Sequence, residues 1–239
     1  MSDTIVITDD FAGPPFAANG GYVAGILAEH LGVSSAHVAL RAPAPLGREL
    51  HVKSEGPFAT IEDRGRLVAS AAAVSLTDMS APRVDYITAA LAAGDVDTTH
   101  HPFPQCFVCG PERNVDDGLH LLPGHVAEGV VAVPWRPSSA AARVSTRVVA
   151  AALDCPSAFA VIEVGEAALL ASMTFQIART PLVGEELVVT GWKRRISGAK
   201  RWAATAITGP DGETLAKAET LWLAVDADRL GAIKEAVAA

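Results

Sequence analysis

Pro43-Ala44-Pro45-Leu46-Gly47-Arg48-Glu49-Leu50 and Thr180-Pro181-Leu182-Val183-Gly184-Glu185-Glu186-Leu187 are two wordings of one connector. Each passes from a Pro-containing turn through a glycine into a strand-opening Glu-Leu. Ahead of the first copy, Val23, Ile26, Leu27 and Leu31 recur at helical spacing, with Gly32 as a stop, and a strand-like run follows at 36–41. Ahead of the second, a helix is expected at 146–161 and a strand at 168–177. Behind the copies, strands are expected at 49–56 and 66–76, and at 186–196, 201–208 and 213–223. Asp63-Arg64-Gly65 and Gly209-Pro210-Asp211-Gly212 supply turn chemistry between neighbouring strands. Further strands are expected at 4–8, 118–122 and 129–135. One element order carried twice, around one repeated connector, predicts an internal duplication.

The units implied are residues 1–80 and 118–239, joined by a linker at 81–117 that contains a CxxC segment and a short helix at 86–93. A single early helix followed by antiparallel strands predicts an α+β fold, with a sheet curling around the helix. That helix is buried nearly all round, which suits Val148-Val149-Ala150-Ala151-Ala152-Leu153. Half of the 239 residues are hydrophobic but only 5% are aromatic, so small Ala and Val side chains fill the core. Trp135, Trp192, Trp202 and Trp222 read as strand packing.

A net charge of −8 argues against nucleic acid as the main partner. The basic runs Lys193-Arg194-Arg195 and Lys200-Arg201 flank Gly198 and read as a charged hairpin, with room left for the phosphates of a small ligand. Met1-Ser2-Asp3-Thr4 lacks the basic start and apolar core of a signal peptide, and no apolar run approaches the ~20 residues of a membrane span. The expectation is a cytoplasmic protein, with a homo-oligomer left open.

Asn19-Gly20-Gly21 opening a helix, Ala151-Ala152-Leu153-Asp154 inside the second helix, and Cys106-Phe107-Val108-Cys109-Gly110-Pro111 with Gly118-Leu119 resemble the hotdog-fold acyl-CoA thioesterase superfamily in its tandem, double hotdog form. The resemblance implies two antiparallel sheets, each wrapped around a central helix, and an acyl thioester as substrate, carried on CoA or acyl carrier protein. In single-hotdog thioesterases a His-Gly-Gly precedes the helix, and an acid lies nine residues after the His. The glycine amide at the positive helix terminus polarises the thioester carbonyl, and the carboxylate of the other unit attacks or activates water.

Carried over residue by residue, the two halves are unequal. Asn19-Gly20-Gly21 keeps the glycines, but Ala28 stands at the acid position and Glu29 comes one residue late, about 100° around the helix. Asp154 stands nine residues after Ser145, but Ser145-Thr146-Arg147 has lost the glycines. The remnants complement each other, so one composite site of Asp154 with Gly20 and Gly21 is expected, and its twin is expected to be dead. The plain alternatives are a helix cap at Asn19-Gly20-Gly21 and a buried, internally satisfied acid at Asp154. Asn19, Ser157, Thr174 and Gln176 are candidates to bind substrate, with Ser157 either orienting the carboxylate or simply filling helix space. Where medium-chain double-hotdog thioesterases carry an acid, Ala171-Ser172-Met173-Thr174 has Thr174, so their Asp–Thr–Gln mechanism does not transfer.

Two further readings are set against this one. A non-catalytic acyl-thioester or fatty-acid binding protein would keep the fold and lose turnover. A hydratase would need a His at a helix start, whereas the Asp-x4-His spacing from Asp95 to His100 falls in the linker. No cofactor is expected. Cys106-Phe107-Val108-Cys109 invites a zinc reading, with His100, His101 and Cys155 available, but a structural zinc site takes four ligands and only this CxxC has ligand spacing, so Cys106 and Cys109 read as small buried thiols in a turn.

Overall fold

The computed structural model describes residues 2–76, 79–114, 116–138 and 144–238. Its first strand, β1 (Ser2–Val6), leads through a loop to α1 (Gly20–Leu31), which Gly32 ends in the left-handed conformation at φ 66°. Then come β2 (Ser35–Leu40), β3 (Glu49–Glu55), β4 (Phe58–Asp63) and β5 (Arg66–Ala73). The short helix α2 (Tyr86–Gly94) precedes β6 (Gly124–Ala127) and β7 (Val130–Trp135). Two helical pieces, α3 (Thr146–Ala152) and α4 (Cys155–Phe159), precede β8 (Ala167–Ile177), β9 (Leu187–Ser197), β10 (Lys200–Thr208) and β11 (Thr214–Val225). A terminal helix, α5 (Ala227–Ala238), completes the chain.

The strands form one antiparallel sheet in the order β1-β3-β4-β5-β2-β8-β11-β10-β9-β7-β6. The sequence reading expected two sheets; here β2 pairs with β8, Val38 opposite Met173, and joins both groups of strands into one. Exposed β edges are costly, and this pairing satisfies two of them at once. Three elements escaped the periodicity: β4 and β6, which lie between anticipated strands, and α5. At 118–122 no strand forms. That segment instead runs beside the CxxC turn, Leu119 and Leu121 donating to the carbonyls of Phe107 and Val108.

The expected helix at 146–161 is broken at Asp154, where ψ is −85°. Pro156 is the cause: it has no N–H to donate to the Ala152 carbonyl of a continuous helix, and its ring would clash with that oxygen. Residues 81–117 are also more than a linker. Ala89 of α2 packs on Ala132 and Val188, and Cys106, Phe107, Val108 and Cys109 sit in the main core.

Helices α1 and α3 meet almost backbone to backbone. A Cβ on Gly21 would lie 2.5 Å from the Ala150 carbonyl oxygen, and one on Gly25 would lie 2.4 Å from Arg147 Cα. Gly21 and Gly25 are four apart and share one helix face, so the contact needs both glycines. The Lys193-Arg194-Arg195 run lies on the β9–β10 hairpin as expected. Arg194 pairs with Glu219, Arg201 with Glu166, and Arg195 lies over the Trp202 ring at 4.8 Å. Among the described residues, no helix is long and apolar enough to cross a membrane.

Candidate functional site

A cavity of about 370 Å³ lies between the N-terminus of α1, the break between α3 and α4, and the inner face of β8 and β11. Asn19, Gly20, Asp154, Leu170 and Trp222 contribute to its wall, and α5 flanks it through Ile233 and Val237. Arg48 tethers that helix, donating to the Asp63 carboxylate at 2.5 Å and to the Val237 carbonyl at 3.1 Å.

An α-helix leaves its first N–H groups without intrahelical acceptors. In α1 three of them have different fates. The Tyr22 N–H donates to Asn19 Oδ1 at 2.9 Å, an N-cap made by the buried asparagine. The Gly21 N–H donates to Asp154 Oδ2 at 2.8 Å. The Gly20 N–H has no acceptor among the described residues, and Gly20 faces the cavity. The Asn19 amide nitrogen also lies 3.8 Å from Cys155 Sγ.

Asp154 is fully buried, and its second oxygen, Oδ1, has no hydrogen-bond partner. Burial, with Cys106 beside it, pushes this carboxyl up to about 7, against the pull of the Gly21 N–H and of the Asn19 side chain. An acid held by one oxygen, with the other unpaired beside a cavity, is costly as structure and suited to proton transfer.

The structure thus brings Asn19, Gly20, Gly21 and Asp154 together, but it gives the two glycines different surroundings. Gly21 anchors the acid and lets α3 approach; Gly20 lines the cavity with its amide unpartnered among the described residues. Ser157 does not touch the Asp154 carboxylate. Its hydroxyl donates to the Asp154 backbone carbonyl at 2.7 Å and accepts from Thr220 Oγ1 and Trp222 Nε1, both at 2.9 Å. Thr174 and Gln176 do not line this cavity either. Along β8 the residues Leu170, Met173, Phe175 and Ile177 are buried, so the alternation puts Thr174 and Gln176 on the outer face. Thr174 Oγ1 there pairs with His37 Nδ1 at 2.8 Å.

The twin position holds Glu29 and Arg147, which form an ion pair across the same helix contact. The residues that sequence reasoning missed are the cavity walls Leu170 and Trp222, whose inward register depends on strand pairing. Of the further ligands weighed for the CxxC, the structure brings up Cys155. Its sulfur lies 3.7 Å from that of Cys106, with Cys109 beside them. Hydrogen bonds from the Cys109 and Cys155 thiols hold the Cys106 thiol well below its usual range, and raise the other two.

Comparison with protein-family models finds no match to this sequence, and comparison with curated proteins finds none either. Solved structures do match. A hot dog fold protein from Alicyclobacillus acidocaldarius superposes with a TM-score of 0.61 at 14% identity, over 94% of this chain and 93% of that one. The TesB protein of Mycobacterium avium subspecies paratuberculosis gives 0.61 at 12% identity, with the same coverage. The acyl-CoA thioesterase II TesB2 of Mycobacterium marinum gives 0.56 at 14%, again over 94% and 93%. Likeness at such low identity, sustained along nearly the whole of each chain, is a likeness of architecture, and the chain has the hotdog fold of these thioesterase structures.

Proposed function

We propose that this chain hydrolyses an acyl thioester, carried on CoA or acyl carrier protein, at one composite site. The glycine amide comes from the unit formed by residues 1–80, and the acid from the unit formed by residues 118–239. The observation that carries this reading is that Asp154, whose buried Oδ1 has no hydrogen-bond partner, and Gly20, whose N–H has no acceptor among the described residues, line one cavity. The thioester carbonyl would lie toward the Gly20 amide at the positive end of α1, which stabilises the oxyanion as it forms. Asp154 Oδ1 would take a proton from water as it attacks, or attack the carbonyl itself, and the thiolate would leave. The Gly21 N–H holds the other carboxylate oxygen and fixes the aim of the attacking one. The apolar wall of Leu170 and Trp222 would receive the acyl chain.

A panel of acyl-CoAs of varied length and aromaticity, with release of free CoA followed by thiol titration, tests the reading. Turnover that is lost in Asp154→Asn supports it. Saturable binding of an acyl-CoA without hydrolysis by the wild type would instead make this an acyl-thioester binding protein.

A further inference from the structure

We infer that Cys106, Cys109 and Cys155 bind a zinc ion at the inner end of the cavity, with three thiolate ligands and a fourth position supplied from the cavity itself. The inference stands apart from the role of Asp154 and survives its failure.

The sequence shows one CxxC, half of a structural zinc site. The fold adds the third ligand from a residue 49 positions further along. Pro156 breaks the helix after α3, and the break turns Cys155 toward the CxxC segment. All three sulfurs then lie within 4.8 Å of one another, and all three residues are buried. The separation of Cys106 and Cys155 sulfurs is 3.7 Å. A tetrahedral zinc site with Zn–S near 2.3 Å has sulfurs about 3.8 Å apart, so the Cys106–Cys155 pair already has the required spacing and the set as a whole needs to close by no more than about 1 Å.

The CxxC turn is built as a ligand loop. The Gly110 N–H closes it on the Cys106 carbonyl at 2.8 Å, and a Cβ on Gly110 would lie 2.5 Å from that same oxygen. Only glycine fits there. The Asn19 amide, donating toward Cys155 Sγ, is a further polar support from α1. Three soft sulfur donors select zinc or copper(I) over harder ions, and a fourth position open to the cavity suits four-coordinate zinc.

Among the described residues, no fourth His, Cys, Asp or Glu joins the three sulfurs within the same distance. Three protein ligands with the last position left to water or a ligand is the arrangement of zinc sites that are not sealed. Each cysteine also contributes to the cavity wall, so a solvent molecule, or a thiol or carbonyl entering the cavity, can reach that position. Binding releases the thiol protons to solvent and leaves the metal and three thiolates with one net negative charge.

The test uses full-length, untagged protein purified under a thiol reductant. Elemental analysis should find close to one zinc per chain that survives dialysis. Stripped protein titrated with Co²⁺ should show intense tetrahedral d–d bands and a sulfur-to-cobalt charge-transfer band, both bleached by Zn²⁺. Cys109→Ser and Cys155→Ser should each weaken zinc affinity at least tenfold. If a variant fails to fold, the cobalt spectrum of the wild type still decides. Reduced wild type that takes up neither Zn²⁺ nor Co²⁺ at micromolar concentration overturns the inference. So does stoichiometric copper in place of zinc, or a metal-free chain two mass units lighter, in which two of the sulfurs form a redox disulfide.

Discussion

Arg147 donates from Nε to Glu29 Oε2 across the α1–α3 contact that also carries the hydrogen bond from Gly21 to Asp154. The helix pair therefore has two polar links, one at each end, and each joins a carboxylate on one helix to the N-terminal turn of the other. At one end the partner is a backbone amide beside an open cavity. At the other it is a guanidinium, whose side chain fills the space that glycine leaves free in the first case.

Glu29→Gln should leave turnover nearly unchanged, because Glu29 is spent on Arg147 and lies outside the cavity wall. It should cost stability instead. Both side chains are about one-third exposed, so the loss falls near the upper end of surface pairs, about 1 kcal/mol, or a Tm lower by roughly 2–4 °C for a chain of this size. Thermal melts and steady-state kinetics on the same preparation check it. A large loss of turnover with an unchanged Tm would move the active acid to Glu29.

Asp154→Asn should lower kcat by about 10³-fold or more while the melt is unchanged or moves upward. The amide keeps an oxygen for the Gly21 N–H and removes the cost of burying a charge, but it cannot take a proton or attack. Gly20→Val is the companion change. A Cβ there would come within 2.9 Å of Leu170, so the side chain would crowd both the free amide and the acyl wall, and turnover should fall with it.

Gly25→Ala should destabilise by about 2 kcal/mol or more, since its Cβ would have to push Arg147 backbone aside. Gly21→Ala should do the same and also displace Asp154, whose Cβ would be only 2.7 Å away. Gly94→Ala is the control: nothing lies within 4 Å of the added carbon, and the change should be neutral or stabilising by about 0.5–1 kcal/mol. Urea unfolding of the three variants ranks them directly.

Ser157→Ala should cost about 1–3 kcal/mol, because it removes the acceptor of the Trp222 indole N–H and one acceptor of Thr220 in a fully buried setting. It also leaves the Asp154 carbonyl with the Ser157 N–H alone in place of two donors, so the helix break loosens. The expected kinetic signature is a modest fall in kcat. Ser157→Thr, which keeps the hydroxyl, should recover part of the stability if the added methyl is accommodated.

What the sequence determined on its own was local. The helical spacing of Val23, Ile26, Leu27 and Leu31, the stop at Gly32, the turn at Asp63-Arg64-Gly65 and the repeated Pro-to-Gly connector all act through neighbours a few residues away, and the elements follow them. The hotdog resemblance, with its acid nine residues on, placed Asp154 with Gly20 and Gly21 in one expected site, and the Gly21 N–H does meet Asp154. Pro156 also carried the helix break in plain view, though helical periodicity through Val161 masked it. Tertiary structure decided which way residues face and which distant ones meet. Thr174 and Gln176 turn outward, and Leu170 inward, because the register of β8 is set by β2 and β11, strands remote in sequence. The merger of two expected sheets at β2–β8 is an edge pairing, for which local sequence carries no code. Cys155 reaches Cys106 and Cys109 only because the broken helix and the CxxC loop fold into one core. Spacing along a chain reports contacts within one element, whereas the contacts that build this cavity are made between elements, and only the packed whole specifies them.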